Sequence, residues 1–125
     1  MQTFIVNLCH LISFLYICSM KVIHNRFIPF RGYWAINLFG VVFVRKGYTL
    51  DDALLNHEAI HTAQMREMLY VFFYLWYVIE WVLRLSGKGN AYEKISFERE
   101  AYSNQNDMEY LSRRKHFAWW KYFGR

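Results

Sequence analysis

Two long apolar runs dominate this chain, with strand-like and helix-like segments between and after them. The first run covers residues 3–20, has no formal charge until Lys21, and reads as an apolar N-terminal helix over 1–20. The stretch 35–44 is rich in β-branched and aromatic side chains and closes on Arg45-Lys46-Gly47; it predicts a strand within a short β-hairpin or sheet over about 22–46. Next comes Thr49-Leu50-Asp51-Asp52, an N-cap with acidic first-turn residues, and no Gly or Pro follows through Arg66, so a helix is predicted there. The second apolar run, residues 68–85, continues that helix without a breaker. A straight helix from Leu50 to Leu85 would be about 54 Å long, whereas a compact domain of this length has a radius of gyration near roughly 14 Å. Either the helix bends near Arg66 or its second half projects into a bilayer as a transmembrane segment, with a buried core helix as the plain alternative. Ser86-Gly87-Lys88-Gly89-Asn90 is a flexible connection, and residues 91–104 read as a second helix with Asn90 and Glu93 spaced as a capping box. Residues 113–123 supply a C-terminal helix. The pattern therefore predicts one domain over residues 1–125, α+β but mainly α.

The chemistry concentrates at His57-Glu58-Ala59-Ile60-His61. Residues four apart share a helix face, so both imidazoles can address one ion, while Glu58, about 100° round the helix, can reach a water on that ion without being a ligand. With five histidines and seven glutamates in the chain, composition alone would produce the pattern on the order of once in a hundred such chains. A catalytic zinc site needs a third protein ligand and an open fourth position. Glu67 and Glu80 share the long helical stretch and cannot fold back to the ion. The later helix can return antiparallel, and it carries Glu98 and Glu100.

Together these residues resemble the gluzincins, zinc metallopeptidases in which HExxH is followed on a later helix by a glutamate ligand; in size the chain resembles the compact members called minigluzincins. In several integral-membrane gluzincins that glutamate precedes a small residue by three and an acidic one by four. Glu98 precedes Ala101 by three and Tyr102 by four, so the resemblance makes Glu98 the third ligand, with Glu100 the alternative and Tyr102 standing where an Asp is usual. It implies a minimal zincin-like domain, one Zn²⁺ per chain held by His57, His61 and Glu98, and Glu58 as the catalytic base in peptide-bond hydrolysis of a peptide or protein substrate. Tyr92, Tyr102, Tyr110 and His116 could each donate to the oxyanion. In zincins the strand before the metal helix often serves as the edge along which substrate lies, and Asn37 stands in the corresponding stretch.

Composition adds a membrane. Hydrophobic residues make up 55% of the chain and aromatics 21%, more than a soluble domain of this length carries. Residues 3–20 approach the length that crosses a bilayer, lack the basic start and cleavage site of a secretory signal, and are interrupted by Asn7, His10 and Ser13, so a core or surface helix is the rival. Glu80 is awkward in lipid, but Arg84 at i+4 can partner it. The tail from Arg113 to Phe123 interleaves cations with aromatics, as headgroup regions favour. A net charge of +5 and a pI near 9.3 permit nucleic acid, yet the basic residues flank apolar blocks instead of forming a polar stripe, so no nucleic-acid partner is expected. Lys21, Arg26 and Arg31 after the first run place the catalytic part on the cytoplasmic side. Cys9 and Cys18 would lie on different faces of one helix and form no disulfide. The alternative function is a non-catalytic metal-binding or structural membrane-associated protein, marked by a closed fourth ligand such as His116. A di-iron bundle is disfavoured, since only Glu58 to His61 gives a Glu-x-x-His element.

Overall fold

The strand-favouring residues between positions 21 and 45 pair into a sheet centred on the last strand to be made. The structure is a computed structural model that describes residues 20–28 and 31–124. Strands β1 (Lys21–Asn25), β2 (Ala35–Leu38) and β3 (Val41–Arg45) lie in the order β1-β3-β2, with β1 parallel and β2 antiparallel to β3. The single strand expected over 35–44 is instead a hairpin. Phe39 and Gly40 both take positive φ, 53° and 83°, the geometry of a two-residue turn matched to strand twist. Phe39 bears that conformation because its N–H donates to Tyr74 Oη and its ring packs on Tyr70 and Tyr74. The Asn37 carboxamide oxygen accepts from Gly40 N at 3.0 Å and closes the turn.

On β3, Val42 and Val44 are fully buried while their neighbours are half-exposed, the alternation of a one-sided strand. They pack on Ala59, Ile60 and Ala63 of helix α1 (Asp52–Glu67). That helix starts as its sequence predicts, with the Asp51 carboxylate accepting from Leu54 N at 2.8 Å. Residues 56–65 are all buried, so α1 is the central rod of the molecule.

The long helix bends. After α1 the chain turns by 110° into α2 (Val71–Leu85), and Leu69 and Tyr70 take φ of 50° and 58°. Left-handed backbone costs about 1–2 kcal/mol per non-glycine residue; what offsets it is the return of α2 over α1, which buries Phe73 against the Phe97 ring at 4.5 Å. No single helix among the described residues is long and apolar enough to cross a membrane. Glu80 meets Arg84 at 3.3 Å as the spacing suggests.

The helix expected over 91–104 is split. Tyr92–Lys94 forms a 3₁₀ turn, Ile95 is extended, and α3 (Ser96–Asn104) follows. Ile95 is drawn out of the helix into a second apolar cluster with Met65, Phe73, Phe97 and Trp119. Asn90 and Glu93 do pair, at 3.2 Å, but they serve the 3₁₀ turn. In place of one C-terminal helix stand α4 (Tyr110–Arg113) and a 3₁₀ segment, Ala118–Tyr122. Trp119 completes the second cluster, whereas Trp120 stays exposed. The helix expected over 1–20, with Cys9 and Cys18, lies outside the described residues.

Four α-helices and a three-stranded sheet make the fold α+β among the described residues. Nine residues of α3 are too few to be helical alone, and polar side chains from the two longer helices hold it. Glu80 on α2 accepts from Ser96 N at 2.9 Å and Ser96 Oγ at 2.6 Å, capping its start. Gln64 on α1 donates to Phe97 O at 3.1 Å. Asn56 on α1 donates to Asn104, Gln105 and Asp107 carbonyls, closing its far end.

Candidate metal centre

Because α1 is buried along its middle, its polar residues must find partners inside the protein. His57 and His61 do so with Glu98 of α3. Their Nε2 atoms are 3.0 Å apart, and each lies 3.3 Å from a Glu98 carboxylate oxygen, His57 from Oε2 and His61 from Oε1. The three donor atoms fall within 4.8 Å of one another and all three residues are buried. Tetrahedral ligands on bonds of about 2.0–2.2 Å would stand roughly 3.3–3.5 Å apart, close to these separations. Glu98 Oε2 is buried without a hydrogen-bond partner. A buried carboxylate oxygen with no hydrogen-bond donor, set beside the His57 imidazole, fits a metal ligand. This group could hold a metal ion.

The other ring nitrogens are held as metal-binding histidines require. His61 Nδ1 lies 2.8 Å from Gln64 Oε1. The Gln64 amide cannot be turned round: its Nε2 donates to two pure acceptors, Phe97 O and the Glu100 carboxylate at 2.9 Å. Its oxygen must therefore face His61, so Nδ1 carries a proton and Nε2 is the nitrogen turned to the site. His57 Nδ1 faces Gln105 Oε1 at 3.1 Å. Tyr77 Oη, brought over by the bend, donates to Glu98 Oε1 at 3.0 Å.

Charge follows this packing. Burial alone would lower the His61 imidazole, but Glu98, joined by Glu58 and Gln64, outweighs it and lifts it to about 9. For Glu98, burial works upward and is overcome by His61 and His57, which hold its carboxyl far below the ordinary range. Burial pushes Glu58 up, against the pull of both histidines and with help from Glu98.

Glu58 does not coordinate; it lines a cleft of about 460 Å³ together with His61, Glu98, Tyr92 and β2. Among the expected oxyanion donors, Tyr92 shares this cleft, and burial, then Glu98, raise its phenol so that it stays a donor. Tyr102 packs edge-on to His57 at 4.6 Å and is half-exposed. The other two are elsewhere: Tyr110 donates to Glu100, and His116, almost fully exposed, lies by Glu67 at 3.4 Å. Glu100 is not brought to the ion. It is fully buried, accepting from Gln64, Tyr110 and Arg114, and one residue pair round the helix from Glu98 puts it behind the site. Asn37 is also spoken for. Its Nδ2 donates to Glu58 O and Thr62 Oγ1, both at 2.9 Å, so it fastens the sheet to the metal helix and leaves no side-chain group for a substrate.

Sequence reasoning missed Gln64, Gln105 and Tyr77. Gln64 stands three residues after His61 on the same face, a readable spacing; Gln105 and Tyr77 arrive only through the packing of α3 and the bend. No protein-family model, curated protein or solved structure matches the chain.

Proposed function

We propose that this protein is a zinc-dependent metallopeptidase of gluzincin type, with His57, His61 and Glu98 as ligands and Glu58 as general base. The observation that carries the reading is the convergence of the His57, His61 and Glu98 donor atoms with a second carboxylate, Glu58, at the wall of a cleft bordered by β2. Zinc in such a site would lower the pKa of a water in its open position towards 7 and polarise a scissile carbonyl. Glu58, buried and raised in pKa, takes the proton of the attacking water and passes it to the leaving amine. Tyr92 is the hydroxyl best placed to donate to the oxyanion.

Substrate binding falls to β2. Among the described residues it pairs only with β3, through Leu38↔Val41 and Ile36↔Phe43 on one side, and the alternation of an antiparallel ladder turns the main-chain groups of Ala35 and Asn37 to the other; the Asn37 carbonyl accepts from Tyr74 Oη at 3.4 Å, so Ala35 offers the open edge. An extended peptide can add there as a further strand. A structural metal would favour a fourth protein ligand, and His116 does not supply one: it sits with Glu67. The test is Glu58→Gln, with zinc content and hydrolysis of a quenched-fluorescence peptide library measured together. Retained zinc with a drop of about 10²–10⁴-fold in rate is expected; undiminished turnover in the zinc-loaded variant would sink the mechanism.

A further inference from the structure

We infer that the outer face of α2 is a docking surface for a lipid bilayer with anionic headgroups. Helix α2 is built inside out. Its buried side carries Glu80, sealed by Ser96 and Arg84, while the side turned away from the protein presents Phe72, Leu75, Ile79, Val82 and Leu83, each between 41% and 62% exposed. At 3.6 residues per turn these positions and their neighbours on the same side cover about 160° of the helix without one polar residue. A helix facing water shows polar side chains opposite its buried stripe; one apolar on its outer side faces a non-aqueous medium. The uninterrupted apolar arc runs the whole helix, about 22 Å.

The surroundings name the medium. Past the C-terminal end of α2 come Lys88 and Lys94, the latter packed beside Gly87 and Gly89. Arg84 lies over the Phe123 ring at 5.9 Å, and Phe123 stacks on the exposed Trp120. Cations and an aromatic pair at the end of an apolar helix match the charge and polarity gradient of an anionic headgroup layer. Lying flat with one side on the protein, α2 needs no length to span the bilayer.

Val78 and Trp81 belong both to this exposed side and to the wall of the cleft. The docked face and the cleft thus share an edge; on the hydrolytic reading above, that edge admits polypeptide segments lying along the membrane surface.

The test uses the full chain with Cys9 and Cys18 replaced by serine, carrying a nitroxide through Leu75→Cys or Val82→Cys, and Lys46→Cys as an exposed loop control. Circular dichroism melts confirm the fold of each. In phosphatidylcholine/phosphatidylglycerol vesicles, labels at 75 and 82 are expected to collide with oxygen and to be shielded from an aqueous nickel chelate, with the order reversed at 46. Chelate access at 75 and 82 would mean the face is in water and would overturn the inference. Shielding from both quenchers would mean that protein covers it, a second copy or another segment, and would overturn it as well. Equal shielding in phosphatidylcholine alone would refute the part assigned to anionic headgroups. None of these readouts requires metal or turnover, so an inactive protein with lipid-exposed labels would reject the peptidase and keep the docking surface.

Discussion

Replacing Gln64 by Met tests whether the site is set from behind the ligands. The substitution keeps nearly the same volume but removes three hydrogen bonds: the acceptor for His61 Nδ1 at 2.8 Å and the donors to Phe97 O at 3.1 Å and Glu100 Oε2 at 2.9 Å. In the zinc-loaded protein, where His61 is neutral, two neutral bonds are worth about 1 kcal/mol each and one to a carboxylate about 1.5–3, so unfolding in urea should show a loss of about 3–5 kcal/mol. Glu100 keeps Tyr110 and Arg114, which limits the damage and leaves the protein foldable. With no acceptor at Nδ1, His61 is free to take the other tautomer and to turn, and zinc affinity should fall about 10–100-fold, as for other supports of metal-binding histidines. Competition with a chromophoric chelator gives the affinity, and ¹⁵N shifts of the His61 ring in the zinc-loaded protein give the tautomer. Glu100→Gln should produce a smaller loss of zinc affinity, since it leaves Gln64 in place with Phe97 O still fixing which way its amide points. A folded Gln64→Met protein that binds zinc within about twofold of wild type would refute the argument.

Glu80→Ala should destabilise by about 3–5 kcal/mol, because it leaves Arg84 partly buried and the first N–H of α3 uncapped; a change under about 1 kcal/mol in chemical denaturation would show that α3 does not depend on this cap. Tyr77→Phe removes one charge-assisted bond to Glu98, worth about 1.5–3 kcal/mol. Zinc dissociation should quicken without loss of the fold, and an unchanged off-rate would remove Tyr77 from the site. The pH prediction concerns the metal-free protein. His61 is raised from 6.5 to about 9, so its pairing with Glu98 stabilises fully below about pH 6.5 and is lost as pH rises through about 9, up to about 3 kcal/mol. Zinc must displace that proton, and its affinity should climb about tenfold per pH unit between 7 and 9; a flat titration would mean that His61 is already neutral.

What the sequence could show about this site divides along the line between local and non-local geometry. The HEAIH spacing and the Asp51 cap are local, because a helix fixes which residues share a face before any tertiary contact forms; Glu98, on a later helix, was picked out by the gluzincin resemblance. Asn37 was noticed as part of a substrate edge; its side chain closes the hairpin and ties it to α1. The bend was legible only from length, which offered it near Arg66; Leu69 and Tyr70 carry no local signal, since neither favours positive φ, and the burial of Phe73 against Phe97 makes that conformation worth its strain. Yet that bend decides the most. It carries Tyr77 onto Glu98 and sets the apolar side of α2 outward along the mouth of the cleft. A straight helix would have kept the same ligands on α1 and lost both. The pattern of polar and apolar residues along α2, with Glu80 facing in and Leu75 and Val82 facing out, then acquires a reason. The break between α1 and the apolar α2 is what lets a small chain place a buried polar centre beside the apolar outer side of a second helix.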